Sequence, residues 1–398
     1  MAAPIDVAAV QAALAAEKID AWLLYDFRGL NPIAADLTAV SRQSGHLATR
    51  RWFYLIPSTG EPRALVHVIE RDTLAHLPGK AERYAGRGAA RSRSSSPSRR
   101  AASSGDGVFP NCAIPYVART STPERWSSSG HLGVEVVSSA DLIQRFAAVW
   151  DESAINTHCI ALGEAVPHQG PRVRRDSASF GGGVTTTEYD VQQQMANWFG
   201  EEGLVSDSPP NVSVASNAGN PHYLPTSTAG RTIHPDELVL LDLWGKLDRP
   251  GAVYADITWM GFTGRRPPEP AGQGVRGCVR RARRRDGARP ARGSSRPGAS
   301  RLASGSSGGS SVLRSAGYGN HILHRTGHSL GENVHGNGVN MDDYETHDDR
   351  RLLAGTGFTI EPGVYFEDFG VRSEINLVVQ ARDAVVTGPL QTEIVALV

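Results

Sequence analysis

"ELVLLDLWGKLDRPGAVYADITWMGF", residues 237–262, holds two apolar runs, each interrupted by a carboxylate, with a "DRPG" turn signal between them. Val239, Leu240, Leu241, Leu243 and Trp244 read as a strand with Asp242 in its middle, and "AVYADITWMGF" reads as a second strand centred on Asp256. A buried, unpaired carboxylate is costly enough that it either shifts its pKa or finds a cation. If the two strands pair as a hairpin, both carboxylates can point to the same face. The pattern recurs downstream in "FTIEPGVY" with Glu361 and in "GVRSEINLVV" with Glu374. By strand alternation Arg372, Glu374 and Asn376 share the polar side, while Ser373, Ile375 and Leu377 face the other way.

Between these acids lies "HRTGHSLGENVHGNG", residues 324–338, with imidazoles at His324, His328 and His335. Spacings of four and seven would align all three on one helix face, but the glycines and asparagines oppose a helix. The helical zinc motif HExxH also fails, because Arg325 stands where a glutamate base is required. The stretch therefore reads as a loop or irregular strand whose glycines allow close backbone approach, and by itself it could be a polar surface loop. The acids weigh the other way. Arg372 is the one nearby cation, and a single guanidinium cannot neutralise four carboxylates held together. Oxygen ligands with one imidazole suit Mn²⁺, Co²⁺ or Zn²⁺, and four acids suit a pair of such ions.

The whole chain agrees with a large folded protein. Its 398 residues with 40% hydrophobic content can bury two domains. Lys+Arg and Asp+Glu both number 41, so global charge points to neither nucleic acid nor anionic membrane. Cys112, Cys159 and Cys278 are scattered, with no CxxC, which fits a reducing cytoplasm. No basic segment precedes the alanine-rich start, and no run is long and apolar enough for a membrane span. Asp6 is the expected N-cap of a helix through about Glu17, followed by a strand "AWLLY" and two strands around the Ser-Thr-Gly turn of "RWFYLIPSTGEPRALVHVI". "GVEVVSSADLIQRFAAVW" closes a mixed α/β domain, 1–150, with a strand and an amphipathic helix; 151–398 forms the second domain.

Three stretches, 86–107, 158–183 and 266–313, are rich in Arg, Gly and Ser without apolar periodicity, and are expected to be irregular or disordered. They read as linkers or as a basic arm for anionic partners, the latter lacking aromatics for base stacking. Their composition is also what GC-rich codons yield out of frame. A frameshifted, impaired or misfolded product is thus the alternative to an active enzyme.

Asp242, Asp256, "TGHSLG", "TIEPG" and "GVRSEIN", in that order, resemble the five-ligand signature of the pita-bread metallopeptidases, specifically Xaa-Pro aminopeptidases and Xaa-Pro dipeptidases (prolidases), and "NAGNPHY" at 217–223 resembles the family's substrate-side histidine segment. The resemblance covers about three quarters of the chain. It implies an α+β fold: a creatinase-like mixed α/β N-terminal domain and a C-terminal antiparallel sheet covered by helices. It implies two divalent metals, Mn²⁺ first and Co²⁺ or Zn²⁺ otherwise, held by Asp242, Asp256, His328, Glu361 and Glu374. A hydroxide between them would attack the peptide bond before proline, Glu361 would shuttle the proton, His222 and His335 would bind substrate and oxyanion, and His324 would line the pocket. Substrates are peptides with proline second, and a homodimer is common among relatives. A metal-free creatinase-like activity is opposed by the complete acid set. Two departures stand out. The Asp242 to Asp256 interval of fourteen residues is longer than the family's, read as three residues added to the turn, and the Arg/Gly/Ser stretches fall where relatives have covering helices.

Overall fold

A computed structural model describes residues 5–40, 48–86, 137–163, 185–267, 313–348, 350–381 and 383–397. Apart from their ends, the stretches 86–107 and 266–313 expected to be irregular lie outside the described residues. So do most of 158–183, the strand expected at "GVEVV" and whatever a frameshift would have altered. Residues 158–163 correct that expectation. They are helical, completing a helix over 152–163, because His158, Ala161 and Leu162 are buried there.

The chain divides into two compact units, 1–147 and 148–398. In the first, the helix Val7–Glu17 starts where Asp6 accepts hydrogen bonds from the N–H groups of Ala8 and Ala9, two donors that a helix start leaves free. Strands β1 (Ala21–Asp26), β2 (Trp52–Pro57), β3 (Arg63–His67) and β4 (Lys80–Tyr84) form a sheet in that order, antiparallel except for the β3–β4 pair. The apolar run "WFYLIP" of β2 is buried on both faces. Trp52, Tyr54 and Ile56 join the helix core around Val10 and Leu14, while Phe53 packs with Leu65 and Tyr84.

The second unit is built around the hairpin β7 (Leu238–Leu247) and β8 (Ala255–Phe262), flanked by β5 (Leu204–Val205) and β6 (Asn211–Val214) on β7 and by β15 (Val395–Ala396) on β8. Strand alternation gives this sheet two unlike faces. Val239, Leu241 and Leu243 pack with Val191, Met195, Trp198 and Phe199 of the helix Glu188–Glu201. Leu240, Met260 and Phe262 pack on the opposite face with Val364 and Val371 of the hairpin β11 (Gly363–Tyr365) and β12 (Gly370–Arg372). A second sheet runs β14 (Ala384–Thr387), β13 (Ile375–Val379), β10 (Gly357–Ile360), β9 (Ser329–Leu330), with Phe358, Ile360, Ile375 and Leu377 in its core. Among the described residues no helix is long and apolar enough to cross a membrane.

His158 has no water contact, and its ring packs against Trp150. Its Nδ1 lies 2.8 Å from the Tyr254 carbonyl, so it must carry the proton, and Nε2 accepts from the Thr387 hydroxyl at 2.8 Å. Burial disfavours the charged ring and pushes its pKa down to about 4, with the Tyr254 carbonyl opposing. The unfolded chain therefore binds the extra proton between about pH 6.5 and 4. The stability contributed by His158 is full above that window and is lost as pH falls through it. His158→Phe is expected to cut the slope of unfolding free energy against pH there, by at most about 1.4 kcal/mol per pH unit. Urea melts of both proteins across that range check this, and parallel slopes would refute it.

Candidate metal centre

The β7–β8 register pairs Asp242 with Thr258 and Trp244 with Asp256, so Asp242, Trp244, Asp256 and Thr258 share one face of the hairpin. Asp256 lies not at the centre of its strand but second in it, because β8 begins at Ala255. Glu361 follows the last residue of β10, and its N–H donates to the Thr326 carbonyl. "GVRSEIN" is not one continuous strand. β12 ends at Arg372 and β13 begins at Ile375, yet Arg372, Glu374 and Asn376 still reach one side. Ile375 and Leu377 go to the core, as alternation requires.

The acids and the imidazole meet. Asp256, His328 and Glu374 each offer an atom within 4.8 Å of the others, all three buried. His328 Nε2 lies 3.4 Å from Asp256 Oδ2 and 3.6 Å from Glu361 Oε1. Its Nδ1 faces the Ser329 carbonyl at 3.0 Å and carries a proton, which leaves Nε2 as the nitrogen turned to the carboxylates, protonated beside them or free to hold a cation in the proton's place. Gly327 lets this segment reach β10, since a Cβ there would stand 2.0 Å from the Thr359 carbonyl oxygen. Asp242 is joined to the trio through Thr258, whose hydroxyl lies 3.0 Å from Asp242 Oδ1 and 2.8 Å from Glu374 Oε2. That hydroxyl has one proton, so it serves one carboxylate at a time, while accepting from Arg372 Nε at 2.9 Å. Asn376 clamps the Asp256 backbone, accepting from its N–H at 2.9 Å and donating to its carbonyl.

Buried Arg372 spreads its remaining donors over Asp242, which it pairs through Nη2, and the Tyr365 hydroxyl, 3.0 Å from Nη1. Tyr365 lies 2.7 Å from His324 Nε2, and His324 Nδ1 donates to the Arg325 carbonyl at 2.6 Å. A directed chain results: Arg372 donates to Tyr365, and Tyr365 donates to His324. His324 thus belongs to this chain, with both nitrogens occupied. The His335 ring packs edge-on against His328, with centroids 4.4 Å apart. His222 is exposed in the turn after residues 215–218, and its ring makes no hydrogen bond or ion pair among the described residues. Its segment is nevertheless anchored. Buried Glu188 accepts from the N–H groups of Val214 and Arg231, from Asn217 Nδ2 and from the Tyr223 hydroxyl.

Electrostatics test whether a cation fits. Burial, then the charges of Asp256, Glu361 and Asp242, hold the Glu374 carboxyl far above its usual range, with Arg372 opposing. Burial pushes Asp256 up to about 6, with Asp242 and Glu361 adding and His328 opposing. Asp242 is also raised by burial, in spite of Arg372. Glu361 is raised by burial but brought below its usual value by His328, His324 and Arg372. Burial lowers His328, and Asp256 and Glu361 more than reverse this. Burial and the neighbouring His328 lower His335. The centre is therefore over-supplied with negative charge, and the fully buried Glu374 Oε1 accepts no hydrogen bond among the described residues. A hard or borderline divalent cation fits both the surplus charge and the orphaned oxygen.

Thr258, Tyr365, Thr359 and Glu188 escaped the sequence reading. Thr258 was within reach, being two residues from Asp256 and so on its face. Thr359, two residues from Glu361, was within reach in the same way, while Tyr365 and Glu188 carried no local signal.

The second unit matches known proteins. Metallopeptidase family M24 matches residues 154–381. An Xaa-Pro dipeptidase of Lactobacillus helveticus is 32% identical over 166 residues, covering 41% of this chain and 40% of that protein. The chain thus spans about two fifths of the length of that relative in the match. Among solved structures, the dipeptidase PepE of Mycobacterium ulcerans superposes with a TM-score of 0.66 at 20% identity, over 98% of this chain and 96% of its own. An X-prolyl aminopeptidase of Caenorhabditis elegans, described as a cytosolic enzyme with a di-nuclear active site, gives 0.60 at 16% identity, over 98% of this chain and 62% of its own. These neighbours share the pita-bread fold, as the α+β architecture above requires. With the family match spanning more than half of its residues and running through all five acid and imidazole positions, this chain belongs to metallopeptidase family M24.

Proposed function

We propose that this protein hydrolyses the peptide bond between an N-terminal residue and proline, acting on Xaa-Pro dipeptides or on longer peptides with proline second. The observation that carries this reading is the meeting of Asp256, His328 and Glu374 at one centre, beside Asp242 and Glu361, with His328 Nε2 turned to the carboxylates and a buried Glu374 oxygen that accepts no hydrogen bond among the described residues. The proline preference is supported by the Xaa-Pro dipeptidase relatives. In this reading Asp242, Asp256, His328, Glu361 and Glu374 hold two divalent ions, Mn²⁺ foremost and Co²⁺ or Zn²⁺ otherwise. Bound there, such ions supply Lewis acidity, polarising a carbonyl and acidifying water near neutral pH.

The chain's own residues do the rest. Glu361, held below its usual carboxylate range by His328 and Arg372, takes a proton from the attacking water at Oε1 and passes it to the proline nitrogen as that bond breaks. His335, neutral near pH 7, offers an N–H to the oxyanion from beside His328. His324 has its lone pair committed to Tyr365, so it orients the Arg372 chain instead of binding substrate. His222 meets the substrate from the solvent side, on a segment fixed by Glu188. A cytoplasmic setting agrees with the cytosolic worm enzyme. The test is turnover of Xaa-Pro dipeptide and Xaa-Pro-Yaa tripeptide panels, with matched Xaa-Ala controls, after Mn²⁺ loading. Release of Xaa from proline substrates alone is expected, and equal rates on Xaa-Ala would remove the proline assignment.

A further inference from the structure

The connection between β7 and β8 has no role in the chemistry above, yet it reaches the loop that carries His335. β7 ends at Leu247 and β8 begins at Ala255, so residues 248–254 join them, with Gly251 at φ 77° taking the left-handed conformation of the turn. By alternation Lys246 lies on the same face of β7 as Asp242 and Trp244. Its ammonium leaves the strand for the 331–336 loop, donating to the Glu332 carbonyl at 2.6 Å and lying 5.1 Å from the centre of the Tyr254 ring. The connection adds two ties of its own: Gly251 N–H donates to Glu332 Oε2 at 3.3 Å, and Tyr254 N–H to the Gly331 carbonyl at 2.9 Å. Val334 packs with Trp244, Tyr254 and Leu330 in one apolar cluster.

The loop returns on itself at its base. Gly336 N–H donates to the Ser329 carbonyl at 2.7 Å, and a Cβ on Gly336 would stand 2.6 Å from the Leu330 carbonyl carbon. Beyond the base Arg350, paired with Asp348, donates to the carbonyls of Asn337 at 3.1 Å and Gly338 at 2.7 Å, which fixes that limb independently. His335 sits on the excursion, exposed, and its ring makes no hydrogen bond among the described residues. The ring is therefore placed by its packing on His328 and by the backbone that carries it. A charged hydrogen bond from Lys246 to that backbone restricts it. We propose that Lys246 and Glu332 are positioning residues: with the β7–β8 connection they clasp the 331–336 loop, so that the His335 ring stays against His328 at the metal centre. The action of His335 on the oxyanion rests on the peptidase reading, and the clasp rests on these contacts. A catalytic group displaced by about 1 Å can cost about 10²-fold, and here the base of the loop and the ring contact remain, so releasing the tip costs about tenfold.

Lys246→Met, which keeps the stem and removes the ammonium, tests this in the full-length, Mn²⁺-loaded protein. Hydrogen exchange read by mass spectrometry is expected to quicken at least about tenfold across 331–336, with β7 and β8 unchanged. On Leu-Pro, kcat is expected to fall about tenfold with KM within about twofold, since the oxyanion exists only in the transition state. Lys246→Arg keeps a donor for the carbonyl and should restore kcat to within about threefold of wild type. Glu332→Ala removes the Gly251 tie and leaves that of Lys246, giving a smaller change of the same sign. The deciding comparison is made in His335→Gln, where adding Lys246→Met should cost less than about twofold more, because the group that it positions is gone. The same penalty persisting in full in that background overturns the proposal, as does unchanged exchange in Lys246→Met. A lysine that merely supports its strand predicts faster exchange along β7 and β8 with an additive loss, and that result overturns it too. If the wild type turns over no Xaa-Pro peptide, the peptidase reading fails alone. Faster exchange confined to 331–336 then upholds the clasp, and its absence removes it.

Discussion

On the proposed function, Asp256→Asn is expected to lower kcat/KM on an Xaa-Pro substrate by on the order of 10³-fold and to lower bound metal from the expected two equivalents toward one. The magnitude converts a few kcal/mol of Lewis-acid stabilisation at about 1.36 kcal/mol per decade. The substitution is nearly isosteric, and the Asn376 clamp on residue 256 uses only backbone atoms, so the strand keeps its place. What changes is the ligand set. The amide has one weakly donating oxygen where the carboxylate had two charged ones, and its NH₂ would face His328 Nε2. Turnover and metal content measured on the same preparation check both halves. Retention of two tightly bound ions with full activity would remove Asp256 from the centre, and with it the ligand set on which the proposed chemistry depends.

Chelation of the metal is expected to abolish turnover and to destabilise the second unit, with both recovered on adding Mn²⁺. Without cations, Asp242, Asp256, Glu361 and Glu374 face one another around Arg372 and His328, and burial holds Glu374 and Asp256 toward their neutral forms. A ligand that binds only the folded chain stabilises it by about 4 kcal/mol at a thousand times its Kd. A clear rise in melting midpoint with Mn²⁺ concentration follows. Protons compete for the same oxygens, so the gap between loaded and stripped protein should narrow as pH falls from 7 toward 5. Thermal melts with and without chelator at the two pH values measure this. A midpoint indifferent to Mn²⁺ would mean that the acids are satisfied by protons and Arg372 alone.

Much of the site was legible because its ligands sit in strands with period-two alternation. A hairpin lets Asp242 and Asp256 share a face, and the β7–β8 register puts them on one. Arg372, Glu374 and Asn376 were grouped by parity and do reach one side, although the strand breaks at Ser373 and Glu374. His324 was less legible. Its place in "HRTGHS" says nothing of Tyr365, forty-one residues away, which occupies its second nitrogen. The helical end of the stretch beginning at His158 was misread because composition was averaged across a boundary. Ala161 and Leu162 pack into a core that the following residues' polarity concealed.

The sequence by itself determined the chemistry at the centre: an alternating strand fixes which face a side chain takes, and a carboxylate in an apolar strand demands a partner wherever it folds. It also determined the order of the segments, and so which family they could serve. Which carboxylate takes Arg372, which nitrogen of His328 turns to the carboxylates, and that Tyr365 occupies the second nitrogen of His324 were decided only by tertiary structure. Those outcomes depend on contacts between residues up to 130 positions apart, whose distances no local pattern encodes.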